Sequence, residues 1–335
     1  MNRREALATL GAVFGSVRLQ PDLGAVSAAP ITREAARRHF TGVVIFPMTP
    51  MRLRDGRADV DFDGFARNMR FYVAHQGAYS FAVCGAVGEY HDLTPEERQK
   101  MIAIAAGAKG SRFLIAGAGG DTTRDAIANA QAAEKAGADA AVVLPSEAIG
   151  KGGDKTMLLH YFEVARAVGI GVIPYRSPLT PFSLDTVVRL LEQPNILAVK
   201  EQTGDLRFIR DARTKTSGQI PLVPAHERLA PFNHLAGASG FTSGQANFAA
   251  RRSIELWQML DAGRTNEAMA LADQFAELDR LRATYGDVLL KAGLELRGLA
   301  GGPLRKNPAP LPADGRAALE RAMRAMGVLE PALPS

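Results

Sequence analysis

From Gly42 onward the chain alternates short β-branched and apolar runs with amphipathic stretches of helical length, the pattern of repeated βα units on a parallel sheet. Eight runs predict eight strands: Val43–Phe46, Ser80–Cys84, Phe113–Ala116, Ala140–Leu144, Gly171–Tyr175, Ile196–Lys200, Pro221–Val223 and Gly240–Thr242. Several are apolar at every position, as strands must be when a barrel interior covers one face and helices cover the other. Helix starts fall between them. Thr94-Pro95-Glu96-Glu97 supplies an N-cap, a first-turn proline and a glutamate placed to close a capping box. Asp121, Ser183 and Asp205 are further N-cap candidates. After Ala246 the strand pattern stops, and Ser253–Leu281, Val288–Leu299 and Gly315–Met326 read as helices. The expected fold is therefore α/β: a (β/α)8 TIM barrel over residues 29–250, with a helical region, 251–335, packed on it.

Composition narrows the function classes. With 47% hydrophobic and 22% charged residues the chain has the balance of a globular protein, and its 335 residues can bury a large core. One cysteine, Cys84, excludes an internal disulfide framework and a cysteine-based zinc cluster. The net charge of +5 is spread along the chain without a basic block, so no nucleic-acid partner is expected. Ala6–Val17, the longest apolar stretch near a terminus, falls short of the ~20 residues that span a bilayer, so membrane insertion is not expected. Arg3-Arg4, the Ala- and Gly-rich run that follows and Val26-Ser27-Ala28 resemble a twin-arginine export signal over residues 1–28. That expectation places the mature protein in a periplasm, beginning near Ala29; otherwise the leader is a plain extension of a cytoplasmic protein.

Among nine lysines, Lys200 alone ends an apolar strand; the others, Lys291 included, read as polar or helical positions. The C-terminal ends of barrel strands are where catalytic side chains gather, and partial desolvation there favours the neutral amine, which can attack a ketone to form a Schiff base. A lysine that merely snorkels from a strand end fits the same position. Tyr175 ends the preceding strand, so in a parallel barrel its phenol stands beside Lys200, as a proton carrier or as part of the wall. Gly85-Ala86-Val87-Gly88-Glu89 follows the second strand, and its glycines allow backbone N–H groups to turn toward an anion. The six histidines show no metal-motif spacing, and no metal is expected; His91 and His226 follow strand ends and are candidates for the pocket wall. His75 and Trp257 read as packing residues.

Taken in order, Phe46-Pro47-Met48-Thr49-Pro50, Gly85–Glu89 with Leu93–Glu97, Tyr175 with Pro178, Val199-Lys200-Glu201 with Thr203-Gly204-Asp205, and Gly240–Asn247 resemble the dihydrodipicolinate synthase and N-acetylneuraminate lyase superfamily from about Gly42 to about Pro310. The resemblance implies a homo-oligomer, dimer or tetramer, that works through a covalent imine on Lys200 with no other cofactor. Tyr175 would transfer protons, and Gly85, Ala86, Val87 and Gly88 would hold the carboxylate of a 2-oxo acid. Ser146, Glu147, Arg176, His226 and Gly240 would border the substrate.

Departures bear on the subgroup. Ala86 and Val87 stand where the family carries two threonines, so no hydroxyl there joins a proton relay. Ser146-Glu147 replaces a second tyrosine, leaving Glu147 as a candidate pocket carboxylate. Thr180 aligns with the arginine that holds the aldehyde substrate in dihydrodipicolinate synthases, which argues against lysine biosynthesis. Arg176 is either a different anion contact or a rim salt bridge. Asp61-Phe62-Asp63, Glu89–Glu97, Gly169–Ile173, Asn247-Phe248 and Lys291–Leu294 resemble the 5-dehydro-4-deoxyglucarate dehydratases, which dehydrate and decarboxylate a keto-deoxy sugar diacid. A pyruvate-dependent aldolase and a non-catalytic barrel that binds an acidic ligand remain the alternatives.

Overall fold

The computed structural model describes residues 31–74 and 78–329; the leader and His75 lie outside them. Among the described residues eight parallel strands form the expected barrel: β1 (Gly42–Ile45), β2 (Ala78–Val83), β3 (Phe113–Gly120), β4 (Ala140–Pro145), β5 (Gly171–Arg176), β6 (Val199–Glu201), β7 (Leu222–Val223) and β8 (Gly240–Ser243). Each strand from β1 to β7 pairs with the next, and β8 returns to β1 with Gly42 opposite Gly240. Backbone bonds from Ser239 to Leu222 (3.0 Å) and from Thr242 to Pro224 (2.7 Å) join β7 to β8.

The barrel interior is a layer of Val44, Ile115, Val142, Ile173 and Val223, with Phe40 below. Larger apolar clusters fill the space between strands and helices, which is why the strands read as continuously apolar. β3 runs four residues beyond its expected end because Gly117, Gly119 and Gly120 are strand residues here. A Cβ on Gly117 would sit 1.8 Å from the Cys84 carbonyl oxygen, so close strand approach, not a turn, explains the glycine.

Thr94 and Glu97 close the capping box as expected, and Ser183 and Asp205 cap the helices Leu184–Leu190 and Leu206–Lys215. Thr122, not Asp121, caps Thr123–Lys135. A hairpin that hydrophobic patterning did not reveal, Met51–Arg54 with Arg57–Val60, turns at Asp55-Gly56, both in left-handed backbone (φ 48° and 77°).

The expected break at residue 250 falls inside a helix. Ala246–Asp261 packs against β1 and β8 as the eighth helix of the barrel, and the Ser253–Leu281 stretch divides among it, Thr265–Asp273 and Ala276–Tyr285. Val288–Leu296 and Ala313–Ala325 complete the C-terminal region. Among the described residues no helix is long and apolar enough to cross a membrane.

Asn247 ties the mouth of the barrel together. Its Oδ1 accepts from the Met48 amide (2.8 Å) and the Tyr72 hydroxyl (2.7 Å), while Nδ2 donates to the Phe46 and Gly244 carbonyls (2.8 and 2.7 Å). Asn247, Met48, Tyr72 and Phe46 are buried, so truncation leaves most of these partners without water to replace the lost bonds. Asn247→Ala should lower stability by about 2–4 kcal/mol in urea unfolding. A midpoint equal to wild type would show that the mouth is held without it.

Candidate active site

The C-terminal ends of the strands surround a cavity of about 250 Å³. Phe46 lies on one side, with Ala86 and Val87 from the loop after β2. Tyr175 and Lys200 come from β5 and β6, Gln202 directly follows β6, and His226, Thr242, Ser243 and Gly244 come from the segments after β7 and around β8. Arg282 and Asp287, from the C-terminal helical region, complete the wall.

Strand alternation sorts the functional side chains. Tyr175 is in register with Lys200, and Arg176 with Glu201. Because successive residues of a strand face opposite ways, Tyr175 and Lys200 share the inner face and line the cavity, while the next pair turns outward toward the helices. Lys200 is 4% exposed; its Nζ donates to the Gln202 Oε1 (2.6 Å) and the Glu201 carbonyl (3.0 Å) and lies 5.8 Å from the centre of the Tyr175 ring. Burial pulls the ammonium down from its usual range to about 7, against the opposing pull of the Glu201 carboxylate. Burial, assisted by that same carboxylate, raises Tyr175, so the phenol is the resting form.

Arg176, expected at the substrate or at the rim, is at neither place. Its Nη1 pairs with Glu201 (3.0 Å) and donates to Thr203 Oγ1 (2.8 Å), its Nε donates to the Phe182 carbonyl (3.0 Å), and its plane covers the Phe208 ring at 3.6 Å. Glu201 is fully buried and also accepts from the Thr203 and Gly204 amides. The pair braces the strand from behind.

Four other expected residues also lie away from the cavity wall. Ser146 is spent as the N-cap of Glu147–Lys151 and donates to the Asp121 carbonyl, while Glu147 is exposed and paired with Lys151. Gly240 sits at the opposite end of β8, about 10 Å below Ser243 at ~3.3 Å per residue. A Cβ there would come 2.3 Å from the Gly42 carbonyl oxygen, which accounts for the glycine. His91 is exposed and packs edge-on against Tyr90.

The loop after β2 is built for close approach. A Cβ on Gly85 would meet the Phe46 ring at 2.8 Å, and Thr49 Oγ1 donates to the Gly88 carbonyl (2.6 Å). Cys84 and Glu89, which flank the loop, and His226 all hold left-handed backbone, at φ 51°, 59° and 74°. Such strain gathers at functional sites. The Ala86 and Val87 amides donate to no acceptor among the described residues. The Cys84 thiol is buried and pushed up to about 12, which leaves it inert as a nucleophile.

Lys291, expected at a helical position, lies on the helix Val288–Leu296, and its burial is what the sequence pattern did not show. It is fully buried, 2.6 Å from Glu89 Oε1 and 2.5 Å from the Pro303 carbonyl, and Glu89 Oε2 accepts from the Arg305 amide (2.8 Å). Arg282 and Asp287 also escaped sequence reasoning, since they fall between two expected helices, where nothing marks a residue that reaches into a distant cavity. Among the described residues no three His, Cys, Asp or Glu side chains converge as a metal site.

A buried lysine near its neutral form, beside a phenol at the mouth of a (β/α)8 barrel, defines a barrel enzyme equipped for amine attack on a carbonyl. In comparison with known proteins, the family model described as "Dihydrodipicolinate synthetase family" matches residues 39–326, and the chain belongs to that family as one of its lyases. It is 31% identical over 292 residues to a probable 5-dehydro-4-deoxyglucarate dehydratase of Streptomyces griseus, covering 84% of this chain and 89% of that one. It is equally 31% identical over 297 residues to a 4-hydroxy-tetrahydrodipicolinate synthase of Alcanivorax borkumensis, covering 86% and 98%. A solved dihydrodipicolinate synthase of Acinetobacter baumannii, complexed with pyruvate, superposes with a TM-score of 0.76 at 28% identity, covering 86% of this chain and 99% of that one. The enzyme of Oceanobacillus iheyensis superposes at 0.79 with 23% identity over 88% and 99%, a likeness of fold.

Arg176→Ala would leave Glu201 as a buried, unpaired carboxylate. Its stability should fall by about 3 kcal/mol, read from urea midpoints. An unchanged midpoint would mean that the Thr203 and Gly204 donors satisfy Glu201 alone.

Proposed function

We propose that the protein acts on a 2-oxo, keto-deoxy sugar acid through a Schiff base on Lys200, as a 5-dehydro-4-deoxyglucarate dehydratase-like enzyme. The observation that carries this reading is the buried Lys200 amine, titrating near 7 and facing a small cavity beside Tyr175. The neutral amine adds to the C2 carbonyl, forming the C–N bond while the carbonyl oxygen gains a proton. Tyr175, resting as a phenol, donates the proton with which the carbinolamine hydroxyl leaves as water. The phenolate so formed takes a proton from C3, and the iminium nitrogen receives the electron pair. The resulting enamine expels the C4 hydroxyl, which leaves as water with the proton Tyr175 took from C3, and a C3=C4 bond conjugated with the iminium remains. The C5–C6 bond then breaks, carbon dioxide departs, and the bonding pair flows through C4 into that conjugated iminium; protonation of the dienamine and hydrolysis of the imine free the lysine. The Ala86 and Val87 amides suit the C1 carboxylate, a role that needs backbone N–H groups and not the threonine hydroxyls absent here.

Support for the dehydratase comes from relatives of that name and from the absence of an arginine at Thr180, which is buried and bonded to Ser177. Relatives named as synthases at the same identity make the aldol-type condensation of pyruvate the competing activity.

Borohydride reduction with pyruvate or a keto-deoxy sugar diacid should add the ligand mass at Lys200, and Lys200→Ala should abolish the adduct. The trapping rate should rise with pH through about 7 and level off above it, because the lowered pKa puts the reactive neutral amine above that point. Tyr175→Phe should cut turnover ~10²–10⁴-fold and leave slow trapping detectable. Release of water and carbon dioxide from the diacid identifies the dehydratase, release or uptake of pyruvate the aldolase. No adduct with any of these acids would sink the imine reading.

A further inference from the structure

We infer that Arg282 forms an anion subsite for the terminal carboxylate of a dicarboxylic 2-oxo substrate. The inference rests on the proposed imine chemistry and adds what that chemistry lacks, a residue that reads the far end of the substrate.

Two arginines stand near the reactive lysine, and their surroundings differ. Arg176 faces away and is saturated by Glu201, Thr203, the Phe182 carbonyl and the Phe208 ring. Arg282 lines the cavity, with its side chain 21% exposed. Its Nε and Nη2 both donate to one oxygen of Asp287, Oδ1, at 3.0 and 2.7 Å. That two-point hold fixes the plane of the guanidinium from one side. The other edge, Nη1, finds no acceptor among the described residues, and it lies where a Cβ on Gly244 would come within 3.1 Å. Glycine at that position keeps the approach to Nη1 open.

The charges around Arg282 leave it as the fixed cation of the cavity. Lys200 is drawn toward neutrality and is consumed by the imine, and burial together with Arg282 lowers His226, so the imidazole beside it is neutral at pH 7. Asp279 is bonded to Gln245 (2.6 Å), and Asp287, which shares the cavity wall with Arg282, holds two of the guanidinium's donors on one oxygen. A partly desolvated, preoriented guanidinium with one open edge is a recognition element for carboxylate, which it can meet through charge-assisted bonds. The loop after β2 serves the carboxylate next to the imine carbon; Arg282, approaching from another part of the wall, serves the second. A product that has lost its terminal carboxylate as carbon dioxide no longer fills the subsite and is released.

Equilibrium binding separates this from the imine reading. Calorimetry with 2-oxoglutarate and 2-oxopentanoate, a matched pair that differs in the terminal carboxylate, gives a diacid-to-monoacid affinity ratio for each variant. Wild type should prefer the diacid, and Arg282→Gln should cut that preference about ten- to a hundredfold, the worth of bonds to a charged group. Arg282→Lys, which keeps the charge and loses the fork, should fall between and guards against a folding defect in the first variant. A ratio that is the same in wild type and Arg282→Gln, including an equal weakening of both acids, overturns the subsite. Absence of a Lys200 adduct on reduction leaves the ratio measurable and counts against the imine instead.

Discussion

A buried ion pair holds the mouth of this barrel. Glu89 and Lys291 meet at 2.6 Å, one at the end of the loop after β2 and the other on Val288–Leu296. Either charge alone would be costly in that interior, so the two segments are obliged to meet, and the Arg305 amide and the Pro303 carbonyl complete the arrangement. Glu89 holds left-handed backbone at the end of the loop whose Ala86 and Val87 line the cavity. The Arg305 guanidinium then pairs with Glu97, whose other duty is the capping box of Pro95–Ala108. Loop, tail and helix start are one electrostatic assembly, and the shape of the cavity depends on it.

Across the barrel, adjacent strands solve two problems with one register. The inner residues, Tyr175 and Lys200, stand over an apolar layer that strips water from the amine. The outer residues, Arg176 and Glu201, are pinned to one another and to the Phe208 ring, so the strand ends cannot twist and separate the inner pair. The same Glu201 carboxylate raises the lysine that burial lowers, and the balance leaves it at about 7. Packing and reactivity are therefore set by neighbouring residues of the same two strands.

The barrel was legible because its strands are apolar throughout and its helix starts carry local signals, and Lys200 and Tyr175 were legible because each ends such a strand. What escaped was contact across long separations. Arg282 and Asp287 fall between two expected helices and Lys291 within one, and neither setting shows which distant neighbour lies above them. Arg176, Ser146, Glu147 and Gly240 were placed by position along the chain, which does not say which face of a strand a side chain takes, whether a hydroxyl is used as a cap, or which end of the barrel is meant. The hairpin at Asp55-Gly56 had a signal, the turn dipeptide, that hydrophobic patterning overlooks.

The pairing of β1 with β8 has a consequence for how the protein is made. The first strand leaves the ribosome with one edge that only the last strand can satisfy, and Met48 likewise waits for Asn247, 199 residues later. At the ~5–20 residues per second of translation, that edge stays unpaired for about 10–40 s. For this interval the nascent chain presents an apolar, unprotected strand and needs shielding from its neighbours on the polysome.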